Sequence, residues 1–408
     1  MMDLTTLASG LRVATRAMPG ADTAAVGLYV AAGSRHEPER LNGIAHLFEH
    51  MVFKGAGGRS AREISEAIED VGGELNASTE RDGTSFTASV LPEHVGLGVE
   101  LIADMILRPH FAADDLEREK DVVLQELGEA RDTPNDIIFD ELWEAAFADQ
   151  PIGRSILGDE KSIEAVTTDD LHRWRLDRYR AGGLTLVAAG KVDHRALVAL
   201  AERSFDGLAE GSAPEPEPAA FTGGARIGRT KADQAHLALG FAAPAQLDED
   251  YYAARFFSDV VGGGASSRLF QQLREERGLA YSVYSALHPY ADTGLFYVYA
   301  AAARRESAAA AQLIGEVIEE AVATVTPREV ERARTQAKAG LLMSLESPWG
   351  QANYVARQLH VHGRLVEVSE VIGKLEAVVL DEVRAAGAKM FAGPRARATI
   401  GFPAVRAA

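Results

Sequence analysis

The chain of 408 residues, 47% hydrophobic and 25% charged, has the composition of a globular protein long enough for two domains with substantial cores. It contains no cysteine, which excludes disulfides and thiolate metal sites and leaves imidazole and carboxylate to hold any transition metal. A formal net charge of -18 argues against nucleic acid as a partner, no stretch has the length of a membrane helix, and the start shows no basic patch before an apolar run, so a cytoplasmic location is expected.

In chain order, "TAAVGLYVAA" alternates as a strand does. "GIAHLFEHMVFKG", Gly43 to Gly55, then sets His46, Glu49 and His50 among Ile44, Leu47, Phe48, Met51, Val52 and Phe53, the pattern of a helix with an apolar face. A second helix runs into the paired-strand pattern "LNASTERDGTSFTASV", and the helical stretches "PEHVGLGVELIADMIL" and "LEREKDVVLQELGEA" follow. The short apolar strand "LTLVAAG" closes this half. At residues 208–225, "LAEGSAPEPEPAAFTGGA", proline, glutamate, glycine and alanine replace apolar periodicity, as in a linker. Beyond it come the strand "AHLALGFAA", the paired strands "YSVYSALHPYADTGLFYVYA", the helix "ESAAAAQLIGEVIEEAVATV" and the closing strand "ARATIGF".

The two halves read alike because they repeat. Ser60 to Thr79 matches Ala265 to Tyr284, pairing Ile64 with Leu269, Ile68 with Leu273 and Gly73 with Gly278. Leu116 to Pro134 matches Val330 to Pro348, pairing Glu117 with Glu331 and Arg118 with Arg332. The expected fold is therefore α+β: two homologous domains, residues 1–207 and 226–408, joined by the linker 208–225, each a mainly antiparallel sheet packed against helices.

A single histidine on an apolar helix is most often a hydrogen-bonded core residue. Three polar groups at this spacing are another matter, since His46, Glu49 and His50 share one helix face. Two imidazoles there can hold zinc, whose catalytic sites take three protein ligands and a water. The third ligand must come from elsewhere, and Glu119 and Glu126, seven residues apart on one face of a later helix, can each supply it. Glu49 is then left as a general base toward water whose pKa the metal lowers toward 7. The order H-x-x-E-H is that of the inverzincins.

The stretch "NGIAHLFEHMVFKG", with Glu126 roughly 75 residues after His50, resembles the pitrilysin and mitochondrial-processing-peptidase family of inverzincin zinc metallopeptidases, in its small two-domain form. The resemblance spans nearly the whole chain, through "GSRHEPERLNGIAH", "GGELNASTERDGTSF" and "IGRSILGDEKSI". It implies that His46, His50 and Glu126 bind one Zn2+ per chain, that Glu49 takes a proton from the zinc-bound water, and that Glu119 supports the site without ligating. It also implies that peptide substrate binds as an added strand beside the zinc helix, along "ELNAST" with Asn76 and Ala77. "SRLFQQLREERGLAYSVYS" is similar to the stretch bearing the family's arginine and tyrosine pair, which places Arg274 and Tyr281 near the scissile carbonyl, from the half opposite the zinc.

In the repeat, Tyr251, Ala254 and Arg255 stand opposite His46, Glu49 and His50, and Ala333 and Gly340 stand opposite Glu119 and Glu126, so the second half holds no such site. His360 and His362, alternate residues of a helix, point to different faces and are assigned to structure. The family resemblance implies a zinc endopeptidase acting on extended or unfolded peptides within the closed chamber of a clamshell-like homodimer. A heterodimer with a related subunit is the alternative assembly, and a non-catalytic assembly or peptide-binding subunit of the same fold is the alternative function. The glycine stretch "VVGGGASSRLF" is short for a loop that grips presequences, which favours general peptide cleavage.

Overall fold

A computed structural model describes residues 2–228 and 230–402. These residues gather into two compact units that are not continuous in sequence. One takes the chain up to Leu127, Ser155–Glu217 and Leu341–Val366; the other takes Gly128–Arg154, Pro218–Gly340 and the chain from Glu367 onward.

In the first unit, strands β1 (Met2–Thr6), β2 (Arg12–Ala17) and β3 (Ala24–Val30) precede helix α1 (Ile44–Val52). A small hairpin of β4 (Gly55–Ala56) and β5 (Arg59–Ser60) leads to α2 (Ala61–Glu69), where Ser60 and Glu63 form a capping box. Strands β6 (Glu74–Thr79) and β7 (Thr84–Val90) follow, then α3 (Val95–Leu107) and α4 (Ala113–Asp132), whose residues to Leu127 count with this unit. Helix α5 (Pro134–Ala146) belongs to the second unit, after which α6 (Glu160–Ala165), α7 (Thr168–Arg178), β8 (Leu184–Gly190) and α8 (His194–Ser204) complete this stretch. The sheet runs in the order β1-β2-β8-β3-β7-β6, antiparallel except where β2 lies parallel to β8.

Strand β3 is central and buried on both faces, which is why its apolar run is nearly unbroken. Val26, Leu28 and Val30 join the core formed with α1 and α3. Tyr29 points to the other face, where its hydroxyl donates to Asn353 Oδ1 at 2.7 Å. Asn353 lies on a helix, Pro348–His362, that the second half of the sequence contributes to this unit. Strand β6 ends the sheet and has no strand partner on its outer edge among the described residues.

The second unit combines α5 with β9 (Gly224–Ile227), β10 (Gln234–Ala243), α9 (Tyr251–Gly262), β11 (Ala280–Pro289) and β12 (Gly294–Ala303). Helices α10 (Ser307–Thr324) and α11 (Pro327–Ser344, as far as Gly340) come next. With Pro348–His362 numbered α12, the remaining elements are α13 (Val368–Ala377), α14 (Leu380–Phe391) and β13 (Arg395–Ile400). This sheet is ordered β11-β12-β10-β13-β9, antiparallel except for β13 beside β9. One face packs against α9, α10 and α14 around Phe256, Phe257 and Phe296; the other packs against α5 through Ile138, Leu142 and Trp143.

Both sheets are thus mainly antiparallel and covered by helices, as the strand and helix periodicities predict. Between Ser204 and Gly224 the chain forms neither helix nor strand, and β9 takes up the last two residues of 208–225. Among the described residues no helix is long and apolar enough to cross a membrane.

Candidate metal centre

Helix α1 carries the site, and its sequence explains its orientation. Ile44, Leu47, Phe48, Met51 and Val52 are completely buried, and Phe48 packs against Tyr179 and Phe111 with ring centroids 4.7 and 5.5 Å away. With that face committed to the core, His46, Glu49 and His50 are left half-buried on the other. The N-terminus is held by Glu37, a buried carboxylate that accepts from Gly43 N, Ala45 N and Asn42 Nδ2, each at 2.8 Å. Gly43 has φ +92°, and a Cβ there would meet Ile163 Cδ1 at 2.6 Å, so the turn into the helix requires glycine.

Helix α4 brings the two acids. Glu126 Oε2 lies 3.8 Å from His46 Nε2 and 3.7 Å from His50 Nε2, and one donor atom from each of the three residues falls within 4.8 Å of the others. With bonds near 2.0–2.1 Å, the ligand atoms of a tetrahedral zinc site lie roughly 3.3 Å apart, so a small closure of this trio suffices. The donor set, two imidazole nitrogens and a carboxylate oxygen, suits zinc. Glu119 has a different place: it is buried, and its Oε2 lies 3.1 Å from His50 Nδ1 while its Oε1 lies 2.7 Å from Lys54 Nζ. A carboxylate at Nδ1 puts the proton there and leaves the Nε2 lone pair facing Glu126.

Electrostatics favour ligand-competent forms. Burial, and then the neighbouring His50, push the His46 pKa down to about 4, so this imidazole is neutral at neutral pH. Burial raises the Glu49 carboxyl above its ordinary value, opposed by a hydrogen bond from Thr79 and by His50. The Thr79 hydroxyl donates to Glu49 Oε2 from the end of β6. Strand alternation places Thr79 on the same face as Leu75 and Ala77, which pack against the core beside α1. Asn76 points to the opposite face, exposed, with its Oδ1 accepting from Ala77 N at 2.9 Å.

Within the second unit Arg274 and Tyr281 come together. The Arg274 guanidinium carbon lies 5.0 Å from the Tyr281 ring centroid and 4.7 Å from that of Phe270. Both residues sit on backbone irregularities. Phe270–Glu276 is a π-helical turn, and the register of β11 against β12 shifts between Ala280 and Ser282, leaving Tyr281 at a bulge and 74% exposed. The residues opposite the metal set occupy α9 (Tyr251, Ala254, Arg255) and α11 (Ala333, Gly340).

The groups that hold the site in place, Glu37, Lys54 and Thr79, are the ones that motif reading passes over. The quoted flanks "GSRHEPERLNGIAH" and "GGELNASTERDGTSF", and the lysine inside "EHMVFKG", contain them without showing what they bond.

Comparison with known proteins shows the family. The family described as insulinase, peptidase family M16, matches residues 12–160, and the one described as the peptidase M16 inactive domain matches residues 165–337. An uncharacterized zinc protease of Mycobacterium leprae is 36% identical over 93% of this chain and 87% of its own length. One from Bacillus subtilis is 33% identical over 97% of both chains. Among solved structures, a protease from Helicobacter pylori superposes with a TM-score of 0.92 over 99% of both chains at 21% identity. A peptidase M16 inactive domain from Pseudomonas fluorescens gives 0.91 over 99% of this chain and 98% of that one at 22% identity. With family matches to both halves and relatives this similar over nearly its whole length, the chain belongs to peptidase family M16, the insulinase family.

Proposed function

We propose that the protein is a zinc endopeptidase that hydrolyses extended or unfolded peptides, with His46, His50 and Glu126 as the ligands of one Zn2+ per chain and Glu49 as the base. The observation that carries this reading is the convergence of two Nε2 atoms and one carboxylate oxygen, with a second carboxylate, outside that trio and bonded by Thr79, next to a ligand on the same helix. When bound, zinc polarises a carbonyl and lowers the pKa of water near it. Glu49 takes the proton of the attacking water, and its raised pKa suits it to pass that proton on to the leaving amine. Thr79 holds Glu49 in place, and Glu119 holds His50. Substrate adds as a strand along the free edge of β6, where Ala77 supplies the outward-facing backbone groups and the Asn76 side-chain amide gives up its bond to Ala77 N to meet the substrate. Arg274 and Tyr281 donate hydrogen bonds to the substrate near the scissile carbonyl, inside a chamber formed by two copies of the chain.

The test is the zinc content of purified protein together with cleavage of an unstructured peptide before and after chelation. Glu49→Gln should keep its zinc and lose roughly a hundred- to ten-thousand-fold in turnover. Unchanged turnover in that variant, or full activity without metal, sinks the reading. A non-catalytic peptide-binding subunit would bind the peptide in both forms and cleave it in neither.

A further inference from the structure

Lys54 follows α1 directly. Its backbone N–H donates to Met51 O at 3.2 Å, so the residue is tied to the last turn of the helix that carries His46 and His50. Its ammonium lies 2.7 Å from Glu119 Oε1, while the other oxygen of that carboxylate lies 3.1 Å from His50 Nδ1. The Glu119 side chain is 7% exposed and that of Lys54 36%. A carboxylate buried to this extent is costly unless both oxygens are engaged, and here one engages a metal-facing histidine and the other a lysine. Without the ammonium, the carboxylate would gain by turning toward solvent or toward another donor, and His50 would lose the acceptor that fixes its ring.

We propose that Lys54 is a positioning residue for metal binding. It acts through Glu119: the ammonium pins the carboxylate against His50 Nδ1, which fixes the proton on that nitrogen and directs Nε2 toward His46 and Glu126. The lysine touches neither the metal nor the substrate. This inference rests on the zinc reading above and adds to it a residue whose loss is felt in metal affinity before it is felt in any chemical step.

Zinc affinity of the full chain, measured by competition with a chromophoric chelator, tests it in wild type, Lys54→Met, Lys54→Arg, Glu119→Gln and the double variant Lys54→Met/Glu119→Gln. Loss of such an outer partner typically weakens metal binding about 10- to 100-fold, which is the loss expected for Lys54→Met. Lys54→Arg, which keeps a cation for Glu119, should stay within a few-fold of wild type. The double variant should bind no more weakly than Glu119→Gln alone, because the lysine has nothing left to act through. The metal-free Lys54→Met chain should unfold at a lower temperature, because one oxygen of a buried carboxylate loses its partner, yet stay folded at the temperature of the titration, and the 15N shifts of His50 should move from the Nδ1-protonated tautomer in wild type toward a mixture in Lys54→Met. Wild-type affinity in Lys54→Met, multiplicative losses in the double variant, or a loss of metal-free stability that accounts for the whole effect would each overturn the proposal. A wild-type chain that binds no zinc would overturn the metal reading, and this one with it.

Discussion

The Thr79 hydroxyl donates to Glu49 Oε2 and favours the ionised carboxylate, while burial favours the neutral one. Thr79→Val removes the first influence and leaves the second, so the Glu49 pKa should rise further. Since a base must be ionised to act, the acid limb of kcat/KM should move to higher pH and zinc content should not change. A pH–rate profile with an unmoved acid limb counts against this role. His36 offers a separate test of burial. Desolvation first, then Arg178 and Arg35, lower its pKa from the ordinary 6.5 to about 4, and its Nδ1 accepts from Gly33 N. Between these two values the unfolded chain binds more protons than the folded one, so stability is fully present above pH 6.5 and declines as pH falls toward 4. His36→Gln should reduce the difference between urea midpoints at pH 7 and pH 5; an unchanged difference would show that other groups set it.

Helix α1 is fixed at its first turn as well as along its buried face. Glu37 satisfies two of the backbone donors at the N-terminus together with the Asn42 amide, in a buried setting where water cannot replace it. Glu37→Ala should cost roughly 2–4 kcal/mol, because it leaves buried donors unpaired, and the metal-free chain should unfold at a correspondingly lower temperature. Zinc affinity should fall as well, since the helix bears two of the three ligands. A thermal midpoint equal to wild type would mean that other groups hold the turn. The second unit shows a different device: Arg274 and Tyr281 are presented by departures from regular structure, a π-helical turn and a bulge on an edge strand.

At the scale of the molecule, the repeat divides the residues of the proposed site. One unit holds His46, Glu49, His50, Glu119 and Glu126, and the other holds Arg274 and Tyr281. Arg274→Ala and Tyr281→Phe should leave zinc content unchanged while lowering turnover; wild-type rates would make the pair structural. If each working site draws on two copies of the chain, mixing Glu49→Gln with Arg274→Ala under exchanging conditions should restore roughly a quarter of wild-type activity, because half the dimers are mixed and each has one whole site. A mixture as inactive as its parts would place both contributions in one chain. The same repeat also hides an exchange: α5 joins the second unit's sheet and α12 the first's, although each lies in the other half of the sequence.

The sequence by itself determined which groups can form a metal site: helical spacing puts His46, Glu49 and His50 on one face, and no cysteine competes as a ligand. It also determined the strands and helices, because periods of two and of 3.6 residues are local properties of the chain. Helical spacing alone did not separate Glu119 from Glu126, which lie on one helical stripe, although the family resemblance names Glu126 as the ligand. Tertiary packing gives the two acids different surroundings. Glu119 is buried between His50 Nδ1 and Lys54, and Glu126, more exposed, faces both Nε2 atoms. The supporting bonds of Glu37, Thr79 and Lys54, and the exchange of α5 and α12, were settled there too, since each depends on partners that only folding brings within reach.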